Sequence, residues 1–299
     1  MAAKVIQGLS QRRETFHRAL TANRFIRKMR GGSQSVLLQC TDSQYVVVKM
    51  AGNPQGPNVL ANEFIGSTVS TMAGLPVAQG SFVYLSDEFI DRNPDLWFEA
   101  PEGRCRPEAG IHFGSLFLGE PDGYFRPTDY ISRSKITLIR NRSAFLGMYI
   151  MDVWANHQDN RQAILINTAD ERGLEVRFVD HGHMFAGPHW KFSNRLGLAY
   201  HLESSLYSNL WEATAISSWI SHFENVLPGA FSQAVSLVPG EWYKGNIDLL
   251  HDVLLHRLEN LNSLIEADCL ASNRAIRRST VNEILRLPRD GVHMLGTST

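Results

Sequence analysis

Residues 152–182 read Asp-Val-Trp-Ala-Asn-His-Gln-Asp-Asn-Arg-Gln-Ala-Ile-Leu-Ile-Asn-Thr-Ala-Asp-Glu-Arg-Gly-Leu-Glu-Val-Arg-Phe-Val-Asp-His-Gly. Two β-prone runs, 163–166 and 174–179, flank the turn residues Thr168 to Gly173, which predicts an antiparallel hairpin. Asp159 lies in the loop before the first strand and Asp180 directly after the second. Antiparallel pairing brings the two open ends together, so the carboxylates should lie about 10 Å apart or closer. Carboxylates so placed can divide the labour: one accepts a proton from a hydroxyl while the other holds Mg²⁺ against phosphate oxygens. The plainer alternative is that Asp159 steadies a loop and Asp180-His181-Gly182 only turns the chain.

Upstream of the hairpin, apolar residues at 138, 145, 146, 149, 150, 153 and 154 predict a long, largely buried helix from about Lys135 to Trp154. The N-terminal half has a different texture. Arg30-Gly31-Gly32-Ser33-Gln34 precedes the runs 35–40 and 45–50, whose short polar separator reads as a second hairpin. Asn58 can cap a helix over 59–73, which ends at Gly74 before Leu75-Pro76. A strand-like run, 77–85, follows and completes a sheet with one helix upon it. Lys49 shares a strand face with Tyr45 and Val47. It either snorkels from the strand end or, if buried, needs a partner. Glu63, on the apolar side of the 59–73 helix, is the candidate partner. Gly31, Gly32 and Ser33 let the backbone approach an anion closely, though a plain turn has the same composition.

Between 91 and 127 five of the chain's twelve prolines and five glycines occur with no sustained period, which reads as a connector or insertion. Beyond about 200, the stretches 201–227, 241–267 and 271–286 carry helical stripes. The expected organisation is a basic leader (1–24), a β-rich N-lobe (25–90), a Pro/Gly-rich connector (91–130) and a helical C-lobe (131–299). This is an α+β, bilobal arrangement with one helix in the N-lobe.

The 299 residues are 43% hydrophobic and carry a formal charge of −1, which suits a large core and argues against a bulk polyanion or nucleic-acid binder. The balance is uneven: residues 1–30 hold eight bases and the single acid Glu14, and a solvated face is the simplest account of them. No apolar run has the roughly 18–20 residues of a membrane span, and no signal-peptide core follows Met1, so a cytoplasmic location is expected. The three cysteines are widely spaced and indicate neither a disulfide framework nor a zinc site. His157, His181, His183 and His189 beside the two aspartates leave open a metal-dependent hydrolase, although no spaced ligand set accompanies them. Asn273 to Pro288, with Arg274, Arg277, Arg278 and Arg286, reads as a surface helix or partner-binding segment.

Taken in order, Gly31-Gly32-Ser33-Gln34, Val46-Val47-Val48-Lys49, Asn62-Glu63, Gly74-Leu75-Pro76-Val77, Asp152 to Asn156, Asp159 and Phe178-Val179-Asp180-His181-Gly182 resemble the HipA-like kinase family. The likeness is nearest to compact bacterial members without the extra N-terminal subdomain, and it covers roughly residues 25–225. It implies a protein-kinase-like fold and an ATP- and Mg²⁺-dependent transfer of phosphate to a Ser/Thr hydroxyl of a protein. Gly31, Gly32 and Ser33 would cover the phosphates, Lys49 would contact them and Glu63 would hold Lys49. Asp159 would be the base, Asp180 a metal ligand, and Arg161 would neutralise charge on the transferred group. The family also includes toxins restrained by a partner protein, so a regulatory protein belongs among the expected partners. One departure stands out: the Asn expected about five residues after the base is here Ile164, so Gln162 or Asn160 would have to hold the second metal. A chain defective there would be a nucleotide-binding pseudokinase.

Overall fold

The computed structural model describes residues 19–119, 121, 131–192, 204–207 and 209–269. The first eighteen residues of the basic leader, residues 122–130 of the connector and the arginines of the 273–288 segment lie outside them.

Five strands close into a small barrel in the order β1 (Leu20–Lys28), β2 (Val36–Cys40), β3 (Tyr45–Lys49), β7 (Gly110–Leu116) and β4 (Gly80–Leu85). All neighbours are antiparallel except β4 and β1, which close the ring in parallel through Leu20–Val83 and Thr21–Tyr84. Alternation fills the interior: Val36, Leu38, Cys40, Val46, Val48, Val83 and Leu85 are buried in one apolar cluster. The opposite parity turns Val47 and Lys49 out of the barrel, as the sequence pattern required.

Two parts of the barrel correct the sequence reading. The end of the expected leader runs into β1, a strand paired on both sides whose Arg24 and Arg27 are exposed and whose pairing with β2 is broken by irregularities at Ala22/Arg24 and Phe25/Arg27. The expected connector supplies β7, at the centre of the sheet between β3 and β4, together with α2 (Asp87–Arg92) and the small hairpin β5 (Phe98–Ala100) and β6 (Gly103–Cys105). Its Gly114 reflects close packing, since a Cβ there would sit 2.5 Å from a Val83 methyl.

The second core is helical. It gathers α1 (Val59–Met72), α4 (Ala144–Ala155), α5 (Ala213–Leu237), α6 (Ile247–Glu259) and the helical stretch 261–269 around the hairpin β8 (Gln162–Asn167) and β9 (Leu174–Val179). Every residue of α4 is buried, as befits a helix apolar on all sides. The helix begins at Ala144 and not near 135 because residues 138–140 are drawn into a bridge with β9: Arg140 N–H donates to Leu174 O at 2.8 Å, and Leu174 N–H to Leu138 O at 2.9 Å. Only the short α3 (Arg133–Ile136) precedes that bridge.

Helix α1, expected on the N-terminal sheet, shares its buried residues Val59, Leu60, Ile65 and Val69 with the helical core while also touching β4 and β7. Further ties fasten the barrel to the helical part. Ala78 N–H donates to Phe178 O, Trp242 Nε1 to Ile111 O, and Lys244 N–H to Asn58 Oδ1. Among the described residues no helix is long and apolar enough to cross a membrane.

Candidate active site

A cleft of about 200 Å³ opens where the barrel meets the β8–β9 hairpin. Gly31, Gly32 and Ser33 line one wall, Lys49 and Glu63 the back, and Asp159, Gln162 and Asp180 the opposite wall. Of the residues given a phosphate, base or metal role from the sequence, all line the cleft except Arg161 and Asn160, the alternative to Gln162.

Lys49 Nζ donates to Glu63 Oε1 and, at 2.7 Å, to Asp180 Oδ1. Glu63 is saturated: its Oε1 also accepts the Gly182 N–H at 2.8 Å, and its Oε2 accepts the His181 N–H at 3.0 Å. A glycine suits this approach, because a Cβ on Gly182 would lie 3.0 Å from Glu63 Oε1 and crowd the carboxylate. Burial opposes the charge on Lys49, but the two carboxylates outweigh it and hold the ammonium above its usual range. Burial likewise works against ionised Asp180, yet Lys49 wins and keeps that carboxyl well below the ordinary carboxylate range. Glu63, the most enclosed of the three, is pushed up by burial against the pull of Lys49. The snorkelling alternative for Lys49 is therefore replaced by a buried ion-paired triad.

Asp180 sits at φ 64°, in the left-handed region. Its carbonyl is held there by Arg161 Nη1 at 2.8 Å and by His157 Nε2 at 3.3 Å. His157 Nδ1 accepts the Asp159 N–H at 3.1 Å, so its proton resides on Nε2 and the ring is a neutral strut between the two aspartate loops. Burial, with Arg161 alongside, pushes its pKa down to about 4. His181 is lowered too, first by burial and then by Arg161. Among the described residues no three His, Cys, Asp or Glu side chains cluster in a metal-holding group, so the histidine-based hydrolase has no ligand set there.

Arg161 corrects the expectation placed on it. Its side chain is 2% exposed and clamps both carboxylate oxygens of Asp152 on α4 through Nε and Nη2, while Nη1 reaches the carbonyls of Val179 and Asp180. Strand parity is the reason: Arg161, Ala163 and Leu165 point into the core, whereas Gln162 and Ile164 face the cleft.

Gln162 Nε2 donates to Asp180 Oδ2 at 2.9 Å, so a carboxamide stands beside the carboxylate with its nitrogen turned to it, and its oxygen, a hard donor like those of Asp180, would face Asp180 only if the amide turned over. Asp159 is exposed to the cleft, and among the described residues its Oδ1 accepts only the Asn160 N–H, at 2.7 Å. Sequence reasoning missed the apolar lining, Val47, Phe113, Leu116, Phe117, Ile164 and Val179. The signal available for it was the alternation of β3 and β8, once the face of Lys49 was known. The glycine loop is pinned at its base: Asn53 Nδ2 donates to Ser33 O at 2.8 Å, and the Gln34 side chain exchanges two hydrogen bonds with the Glu99 backbone.

No protein-family model matches the sequence, and no curated protein matches it. Solved structures do. The kinase CtkA of Helicobacter pylori is similar at 10% identity with a TM-score of 0.52, covering 86% of this chain and 96% of its own. The Golgi casein kinase is similar at 13% identity with a TM-score of 0.50, covering 88% and 77%. HipA of Shewanella oneidensis, solved with HipB and operator DNA, is 12% identical with a TM-score of 0.46 over 81% and 67%. The first two likenesses show that the chain has a kinase-like fold, as the HipA-like resemblance implied.

Proposed function

We propose that the protein is an ATP- and Mg²⁺-dependent phosphotransferase of HipA-like type that phosphorylates a Ser or Thr hydroxyl of a protein substrate. The observation that carries the reading is the convergence of the glycine loop, the Lys49–Glu63–Asp180 triad and Asp159 in one cleft from segments far apart in the chain. Backbone N–H groups of Gly31 to Ser33 face phosphate oxygens. Lys49, kept charged by Glu63, contacts them, and Glu63 ties the lysine to the peptide after Asp180. Val47, Ile164 and Val179 suit the faces of a planar base. Asp159, which no cation pairs among the described residues, takes the proton of the attacking hydroxyl. Asp180 and Gln162 would hold Mg²⁺, which when bound supplies charge neutralisation to the phosphates.

The test is incubation of the intact protein with Mg-ATP and a protein or peptide acceptor, followed by mass analysis for added phosphoryl groups and by assay of ATP turnover. The wild type transfers phosphate, and Asp159→Asn does not. Full activity in Asp159→Asn refutes the assignment of the base. A second reading rests on Ile164 and on the Gln162 amide that donates to Asp180 in place of offering it a metal: a pseudokinase that binds nucleotide and regulates a partner. Nucleotide-dependent thermal stabilisation without turnover would select it.

A further inference from the structure

With Arg161 turned into the core, the cleft lacks the cation expected to neutralise the transferred group, and its charge balance makes the loss acute. The residues lining it include three carboxylates, Glu63, Asp159 and Asp180, against two cations, Lys49 and Arg30. Lys49 already spends two of its three N–H donors, and most of its charge, on Glu63 and Asp180. A nucleoside triphosphate brings several more negative charges, and like charge in a partly enclosed cleft repels unless a cation meets it.

We propose that Arg30 is the second phosphate-binding cation of the site and takes the part that Arg161 cannot play; this rests on the nucleotide-binding reading above. Arg30 is the residue before Gly31, at the turn between β1 and β2, and it lines the cleft. Its guanidinium is exposed and has no acidic or carbonyl partner among the described residues, unlike the nearby Lys28, which is held by Glu99 and the Trp97 carbonyl. The backbone beneath it is fixed. Met29 N–H donates to Ser35 O at 2.8 Å across the turn, Asn53 anchors Ser33, and Gln34 is bonded on both sides of its amide to Glu99. Arg30 is thus a free cation on an anchored base beside the glycine loop. Its planar fork matches two phosphate oxygens at once, which the ammonium of Lys49 does not.

The experiment is calorimetric titration of the full chain, as wild type, Arg30→Ala and Arg30→Lys, with Mg-ATP and separately with adenosine. Arg30→Ala is expected to weaken Mg-ATP about tenfold and to leave adenosine binding unchanged, with Arg30→Lys between. Its melting temperature should match the wild type, since the side chain has no protein partner to lose. Unchanged Mg-ATP affinity in Arg30→Ala, or an equal loss for adenosine, overturns the assignment while the nucleotide reading stands. A folded wild type that binds neither ligand overturns both.

Discussion

Replacing Arg161 by Met separates a structural arginine from one that acts on substrate. The side chains of Arg161 and Asp152 are 2% and 1% exposed, so removing the guanidinium strands a carboxylate inside the helical core. Breaking a buried pair from one side costs about 3–5 kcal/mol. The Val179 carbonyl loses a donor as well, and the Asp180 carbonyl keeps only the longer bond from His157. Arg161→Met should therefore cost about 4–5 kcal/mol. Asp152→Asn should cost less, about 2–3 kcal/mol, because the guanidinium retains the two carbonyls and an amide oxygen. A well-packed apolar pair, Arg161→Met with Asp152→Leu, should recover most of the loss, since neither charge is then buried alone. Urea denaturation reads these differences. With a slope of about 3 kcal/mol per M, Arg161→Met lowers the midpoint by about 1.5 M. A midpoint within about 0.3 M of the wild type, together with a collapse of phosphotransfer, would refute the structural role and return Arg161 to the chemistry.

Two further outcomes follow from the site. Asp159→Asn should lower transfer by about 10²–10⁴-fold while changing stability by no more than about 0.5 kcal/mol, because the carboxylate is exposed and holds one neighbouring N–H; a large stability loss would show that the loop needs the charge. Stability should fall as pH drops from about 6.5 to about 4. Burial puts His157 of the site and His112, which lies on β7 and accepts the Ala51 N–H, at about 4 in the folded chain, against 6.5 when unfolded, so across that window the unfolded state holds more protons. Each contributes on the order of 3 kcal/mol over the full window. Glu63, raised by burial, pulls the opposite way and leaves a smaller net slope. A urea midpoint that is flat or rises as pH falls through this range contradicts the buried neutral imidazoles.

The β8–β9 hairpin was legible because its alternation and its turn agree, and its two ends bring Asp159 and Asp180 to the same wall. Lys49 and Glu63 were legible for the same reason: strand parity and helix period each named a face, and the faces meet. Strand β1 was hidden by its own chemistry, since exposed Arg24 and Arg27, half-buried Lys28 and two irregularities disguise the period of a paired strand as a basic tail. Strand β7 was hidden by composition. Gly110 and Gly114 beside prolines look like a linker, yet Gly114 is small because Val83 packs against it. The start of α4 depended on Ile139 pairing with Leu174, a contact between distant segments that no local window contains.

Arg161 was misread where parity could have decided. The alternation of β8 begins one residue before the strand, and the step that buries Arg161 sets Gln162 and Ile164 on the cleft face. A residue five positions after Asp159 therefore cannot reach Asp180 as a ligand, because Ile164 lies further along the strand and is apolar. Gln162, opposite Val179 in the register and bonded to Asp180, is the one polar side chain of β8 in the cleft. If its amide turns over to present Oε1, it shares the metal with Asp180, and Gln162→Ala should raise the Mg²⁺ concentration needed for half-maximal transfer by about 10-fold. The fold should be unaffected, because Gln162 is exposed. Metal-free adenosine binding should also be unaltered, since no part of the purine-facing apolar wall changes. Asp180→Asn, which loses the charge and half of the lysine's pairing, should raise the Mg²⁺ requirement further and lower stability as well. An unaltered Mg²⁺ requirement in Gln162→Ala would mean that the amide only holds Asp180, and that the metal is bound through one protein carboxylate.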